Sequence, residues 1–284
     1  MKFLMFICLF LTGFTWAQTS TTASIHSIDL DPAGNDHFIK LDSGEVIFVD
    51  DVRIIEDLEA RGALEKRLEF EVDQDNELVG WRSVPEVVMD EGDTLELSKQ
   101  LTTSPVYTPS VVSGKATLAS MFAGLRPDAK RRSECYHRAY IWAYEEHKKS
   151  GRQMTKHFMF FTRKYIREYR YKWWFHVAPS VLYENDNGTK EFMILDRSFA
   201  KSAITVKEWS DKFVASKRSC PLVYVYSHYN NHQESEHCYM MPTPMYYLQP
   251  LDMENFEKTG VEKQSFIPWD LNISYRRGFT GRPL

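Results

Sequence analysis

The sequence predicts an α+β chain in two unlike parts: a small acidic β-rich segment, then a larger domain that sets helices against an antiparallel sheet. Three observations lead there. Short alternating apolar runs joined by turn clusters recur through residues 37–81. Large side chains at helical spacing run from Ser133 to Gly151. Two aromatic strands with a strong turn between them occupy residues 173–196.

The elements follow in chain order. Lys2, an apolar run from Phe3 to Phe14 broken only by Thr12 and Gly13, and small residues at Thr15 and Ala17 describe a secretory signal peptide at 1–17. The run is too short for a comfortable membrane span, so export to a secreted or periplasmic location is expected. Residues 18–98 read as an acidic β-rich domain. His37–Leu41 and 45–49 flank Asp42-Ser43-Gly44, a hairpin signal. Arg53 to Arg61 has helical spacing and stops at Gly62. Leu68 to Val72 alternates, and Asp73-Gln74-Asp75-Asn76 turns it into a strand through Trp81. Residues 99–116 are rich in Ser, Thr, Pro and Val and read as a linker with a processing site. Residues 117–284 form the larger domain, well patterned to 251 and without clear periodicity beyond.

Composition narrows the classes. The chain has 284 residues, 43% hydrophobic and 26% charged, with 18 Phe, 15 Tyr and 7 Trp, enough ring area for a sizeable core. A net charge of −4 gives no whole-chain case for nucleic-acid binding. The charge is split, however. Residues 18–116 carry 21 Asp and Glu against 8 Lys and Arg, whereas residues 117–284 carry 18 against 26. Either two domains simply differ, or an acidic segment docks on a basic one.

Chemistry gathers around Cys135. Cys8 leaves with the signal, and Cys220 and Cys238 can bridge across a polar stretch around Tyr229-Asn230-Asn231. Cys135 is then the lone thiol of an exported chain, which suits a reactive or a well-buried cysteine. Ser133 suits an N-cap, and a helix through Tyr136, Ala139, Tyr140, Ala143 and Tyr144 reaches Lys148, Lys149 and Gly151. A helix's first turn favours a thiolate, and its free N–H groups can hold an oxyanion. The bland alternative is a small buried hydrophobe.

A partner pair is available in His176 and Asp196. They flank Glu184-Asn185-Asp186-Asn187-Gly188 and are equidistant from Asp186. A loop of three or five residues centred there makes them direct cross-strand partners on one face. A two-residue turn at Asn187-Gly188 separates the faces. A structural His–Asp hydrogen bond is the alternative. Trp173 and Trp174 are candidate walls of a substrate pocket, one of which must face the core by strand alternation. His137 suits packing. His228, His232 and His237 lack tetrahedral metal-ligand spacing, so no metal is expected. Arg163, Lys164, Arg167, Arg170 and Lys172 suit a solvated face or a docking surface for the acidic segment. Asn187-Gly188-Thr189 matches a glycosylation acceptor, but its turn role explains it.

In order and spacing, 41 and then 20 residues, Cys135, His176 and Asp196 resemble the triad of the protein glutaminases (protein-glutamine glutaminases). Local words agree. Cys135-Tyr136-His137-Arg138-Ala139 looks like that family's Cys-Tyr-x-Arg-Ala. Phe175-His176-Val177-Ala178, Asn187-Gly188 and Ile194-Leu195-Asp196-Arg197-Ser198 look like its His hairpin and Asp strand. Thr117 to Phe122 resembles its first helix, and Pro242 to Tyr247 its final strand region. The likeness covers about 117–251. Departures are Tyr171 to Trp174, where the family carries cysteines, and Arg197, where proline is usual.

The resemblance implies a papain- or transglutaminase-like fold, with a helix-borne cysteine packed on an antiparallel sheet, and a secreted enzyme made with an N-terminal pro-segment. It implies hydrolysis of the side-chain amide of protein-bound glutamine through a thioester on Cys135, with His176 moving the proton and Asp196 orienting it. No cofactor is required. The implied partners are proteins or peptides with exposed glutamine and the chain's own pro-segment, with no nucleic acid and no membrane after signal cleavage. Cysteine peptidases, cell-wall peptidases and transglutaminases share such a triad, and a non-catalytic binding module on the same fold is a rival of another class.

Overall fold

The computed structural model describes residues 19–31, 37–84 and 107–281. The signal-peptide reading and residues 99–106 of the linker lie outside them. The chain divides into two compact units, one formed by 1–39 and 47–86, the other by 40–46 and 87–284. Both contain antiparallel sheet, and the whole is a mixed α/β structure. Among the described residues no helix is long and apolar enough to cross a membrane.

The first unit is built on a five-stranded sheet in the order β3-β2-β1-β4-β5. β2 (His37–Leu41) and β3 (Val46–Val49) form the expected hairpin. β4 (Arg67–Val72) buries every second residue and pairs with β5 (Leu78–Ser83) across the Asp73–Asn76 turn. α1 (Val52–Ala60) is capped by the Asp51 carboxylate and buries Ile55 and Leu58. The sheet's central strand, β1 (Thr19–Asp29), was not foreseen. Its Ser- and Thr-rich start carries no apolar alternation, and pairing with β4 from Thr19↔Val72 to Ser24↔Arg67 makes it a strand.

The second unit carries a six-stranded sheet. β7 (Thr155–Phe161), β8 (Phe175–Glu184), β9 (Lys190–Ile194), β10 (Ile204–Thr205) and β11 (Cys238–Pro244) run in the order β10-β9-β8-β7-β11, all antiparallel. β6 (Val111–Ser113) adds to β8 in parallel, so part of the expected linker is sheet. α2 (Lys115–Gly124) follows it, and α3 (Cys135–Ser150) lies against the sheet. Every side chain of α3 from Tyr136 to Ala143 is buried. A helix covered on all sides needs a second layer. α8 (Pro268–Gly278) supplies it, after α7 (Pro250–Thr259), so the segment beyond 251 is helical rather than patternless. Both helices start with proline at a first-turn position, which costs nothing there because that N–H has no intrahelical partner.

Candidate active site

Helix α3 delivers the cysteine. Its N-cap is Glu134 rather than Ser133, without a side-chain capping bond. Ser133 instead donates its hydroxyl to Lys130 O (2.8 Å) and accepts from Arg138 Nη1 (2.8 Å), which fastens the approach to the helix. Cys135 is thus the first helical residue, half-buried and free. Its backbone N–H belongs to the first turn, where no carbonyl of the helix can reach it. At the other end His147, Lys148 and Lys149 occupy the last turn, and Gly151 closes it at φ +71°.

The β8–β9 hairpin delivers the other two. Its connection is five residues, 185–189, centred on Asn187 and not Asp186. Asn185 Oδ1 accepts from the N–H groups of Asn187 and Thr189, and Gly188 turns the chain at φ +76°. The register pairs Ser180 with Ile194, and Leu195 N donates to Pro179 O (2.8 Å). Asp196 therefore stands opposite Ala178, and the direct His176–Asp196 pairing becomes a diagonal one. The shift is two residues, an even number, so both side chains still share a face.

There they meet. His176 Nε2 and Asp196 Oδ2 are 2.8 Å apart, and the same oxygen accepts from Trp209 Nε1 at 2.9 Å. The other carboxylate oxygen accepts from Ser198 N (3.1 Å). The Cys135 side chain lies near enough to the His176 ring to favour its charged form. With Nε2 given to Asp196, the ring has Nδ1 for the sulfur. His176 is buried among Phe213, Phe199, Trp209 and Trp173, with ring centroids 4.6, 5.0, 5.5 and 6.1 Å away. Burial, the largest influence on the imidazole, opposes its charge. The hydrogen bond to Asp196 and the attraction of Asp196 and of the Cys135 sulfur exceed it and push the pKa up to about 9. Burial also raises the Asp196 carboxyl, but bonding and attraction to His176 and the Trp209 N–H hold it below the usual carboxylate range.

Trp209 has no counterpart among the sequence-predicted residues. It sits on α5 (Val206–Ser210), whose start is a Thr205–Glu208 capping box. That box was visible in the sequence as a helix start; nothing local told where the indole would point. The two flanking tryptophans separate as alternation requires. Trp173 is half-buried and stacks on His176 at 22°. Trp174 is 1% exposed and donates its indole N–H to Leu41 O (2.7 Å), so it belongs to the core.

Lys40–Val46 belongs to this second unit. Val46 N donates to Lys172 O and Trp174 N to Gly44 O, both at 2.9 Å, and Glu45 bridges antiparallel to Trp173. Gly44 sits at φ +92°, and a Cβ there would lie 3.1 Å from the Phe175 ring, so glycine is needed on both counts.

The remaining candidates have other duties. Arg163 and Arg167 pair with Glu234, and Lys164 Nζ donates to Ser235 O. These basic residues are part of α4 (Arg163–Tyr169), which is tied to its own domain. His228 and His232 stack, while His237 bonds Glu168. Cys220 and Cys238 form a disulfide. The stretch between them, polar in sequence, holds α6 (Tyr226–Asn231) with Tyr229 buried. Arg197 Nη1 donates to Ala123 O and Leu125 O, capping the end of α2.

Residues 123–213 match the family model described as Glutaminase, a span that holds Cys135, His176, Asp196 and Trp209. The chain resembles the protein glutaminases. The match supports a deamidating hydrolase. Among solved structures, the chain is similar to a crystal structure of the A47Q2 mutant of pro-protein-glutaminase, at 18% identity, covering 89% of this chain and 97% of that one, with a TM-score of 0.48. For pro-protein-glutaminase itself the values are 16%, 91%, 98% and 0.47. For the NMR structure of protein-glutaminase from Chryseobacterium proteolyticum they are 19%, 61%, 100% and 0.36. No curated protein matches.

Proposed function

We propose that the protein is an exported protein-glutamine deamidase, made as a pro-enzyme, whose catalytic domain is papain-like. One observation carries the reading: the buried His176–Asp196 pair with the Cys135 thiol close enough to act on its charge, inside the stretch that matches the glutaminase model. A buried imidazole that stays charged beside a cysteine supports a thiolate–imidazolium pair. In this scheme the sulfur attacks the side-chain amide carbon of a bound glutamine. The oxyanion is held by N–H groups of the first turn of α3, that of Cys135 among them. His176 gives its proton to the leaving ammonia and then takes one from the water that cleaves the thioester, leaving glutamate. Asp196 accepts from Nε2 and so turns Nδ1 toward the sulfur, and Trp209 fixes the carboxylate in turn. Trp173 is the candidate wall of the glutamine pocket.

The test is ammonia release from casein by protein trimmed on the N-terminal side of Tyr107, with Cys135→Ala alongside. Ammonia, intact chains and a gain of about one dalton per site are expected, with a loss on the order of 10⁶-fold in the variant. Untrimmed protein should be slower. Cleaved peptides without ammonia would make the protein a peptidase, cross-linked casein a transglutaminase. Neither product from the trimmed protein would favour a binding module.

A further inference from the structure

Away from the triad, the second unit holds a recess of about 230 Å³ lined by Tyr107, Gln153, Pro244, Tyr246, Glu262 and Lys263 among others. It lies where β7 begins and β11 ends, at the Thr155↔Pro244 pair. Met159, four residues along β7, is the partner of His176, so the recess stands about 13 Å from that pairing along the strand.

Its polar groups are unevenly satisfied. Tyr107 Oη is 3.2 Å from Thr155 Oγ1, and Tyr246 Oη donates to Gln153 Oε1 at 3.3 Å. Lys263 spends its ammonium on Asp252 (3.3 Å to each oxygen) and Asp270 (2.7 Å). Glu262 is different. It is half-buried, and its carboxylate makes no hydrogen bond or ion pair among the described residues. Burial raises its pKa, and burial first and its field second raise that of Tyr247. The recess therefore has two aromatic side chains and a carboxylate short of a partner, while the one ammonium that lines it is already held by Asp252 and Asp270. An anion would be repelled, and an apolar guest would strip the carboxylate of water without replacing it. A cation would pair with Glu262 and lie near the tyrosine rings.

We propose that this recess is a subsite for the ammonium or guanidinium group of a lysine or arginine side chain of the protein substrate. Its use rests on the protein-substrate reading above; the binding itself does not. About four residues of extended chain span the distance from His176, so a glutamine in the active site and a cationic side chain in the recess can belong to one peptide.

Full-length Cys135→Ala protein, which turns nothing over, is titrated with N-acetyl-lysine methylamide and, separately, N-acetyl-norleucine methylamide, and tyrosine ring resonances are followed by NMR. The lysine amide should bind saturably and about tenfold more tightly than the uncharged analogue. Adding Glu262→Gln should remove that difference. Equal binding of the two amides, no saturable binding of the lysine amide, or an unchanged preference in the Glu262→Gln protein would each overturn the proposal. The two-amide comparison needs no change at Glu262 and so does not depend on that variant's folding. With trimmed enzyme, glutamine peptides carrying lysine four residues away should exceed their norleucine counterparts about tenfold in kcat/KM, an advantage that Glu262→Gln should abolish. If no peptide releases ammonia, the deamidase reading fails and the binding result still decides the subsite.

Discussion

Burial works against the charge of His176, and its two partners restore it: the imidazole stays protonated to about pH 9 inside a cage of aromatic rings. That has a consequence for stability. The ordinary imidazole value is 6.5, so the folded value lies above the unfolded one. The pair then stabilises the fold in full below pH 6.5 and ceases to do so as pH rises through about 9, a change on the order of 3 kcal/mol. Urea unfolding of wild type and Asp196→Asn at pH 6 and pH 9.5 measures it. The gap between the two proteins should narrow at the higher pH. Taking the difference cancels the opposite trend from Lys156, whose ammonium is pushed down to about 7, chiefly by its complete burial. Activity should fall with the same alkaline limb near pH 9, and in Asp196→Asn kcat should drop about 10³- to 10⁴-fold with KM nearly unchanged. An Asp196→Asn protein with wild-type kcat would remove the carboxylate from the mechanism.

Among the elements, α8 governs how α3 presents its first turn. Ser274 Oγ meets His137 Nδ1 at 2.9 Å, Lys130 N donates to Gly278 O at 2.9 Å, and Ile267 N donates to Tyr140 Oη at 3.1 Å. Gly278 packs so closely that a Cβ would lie 3.3 Å from that of His137, two residues from the sulfur. Gly278→Val should therefore cost about 1–3 kcal/mol by overpacking, and Ser274→Ala about as much by leaving the His137 nitrogen without its hydroxyl. Both should slow iodoacetamide labelling of Cys135, and Ser274→Thr should restore it. Labelling at the wild-type rate in a destabilised Gly278→Val would mean that α8 holds the fold and not the nucleophile. The sequence announced some of these elements and hid others for physical reasons. α1, β4 and α3 were legible because each carries its own period and its own stop, at Gly62, at the Asp73 turn and at Gly151. β1 was hidden because its strand character comes from its neighbours. α7 and α8 were hidden by weak periodicity, although Pro250, Gly260 and Pro268 marked two starts and a stop. In the site, parity brought His176 and Asp196 to one face even with the turn centre misplaced by one residue. Trp209 depended on tertiary packing that no spacing encodes.

For the molecule as a whole, the Cys220–Cys238 link ties the α6 region to the edge strand β11, where Leu222 also bridges Met240. It closes a loop with a sequence separation of 18 residues. Replacing both cysteines with serine should lower unfolding stability by about 3 kcal/mol. The iodoacetamide labelling rate of Cys135 at pH 7 should not change, because the link contacts none of the triad through any bond described above. A large change in that rate would show that the sheet edge and the nucleophile are mechanically coupled. The parallel strand β6 carries a different consequence. Val111–Ser113 is paired to β8, and just before it Ser110 exchanges hydrogen bonds with Gln153 through its amide N–H (2.8 Å) and hydroxyl (2.9 Å). A protease working inward along the chain can digest only backbone that leaves its partners, so this stitched segment acts as a ratchet stop. However many enzymes attack the N-terminal side, the surviving polypeptide should converge on one lower mass limit, set by an amino terminus at or before Ser110, which intact-mass spectrometry of a digestion time course would display as a plateau.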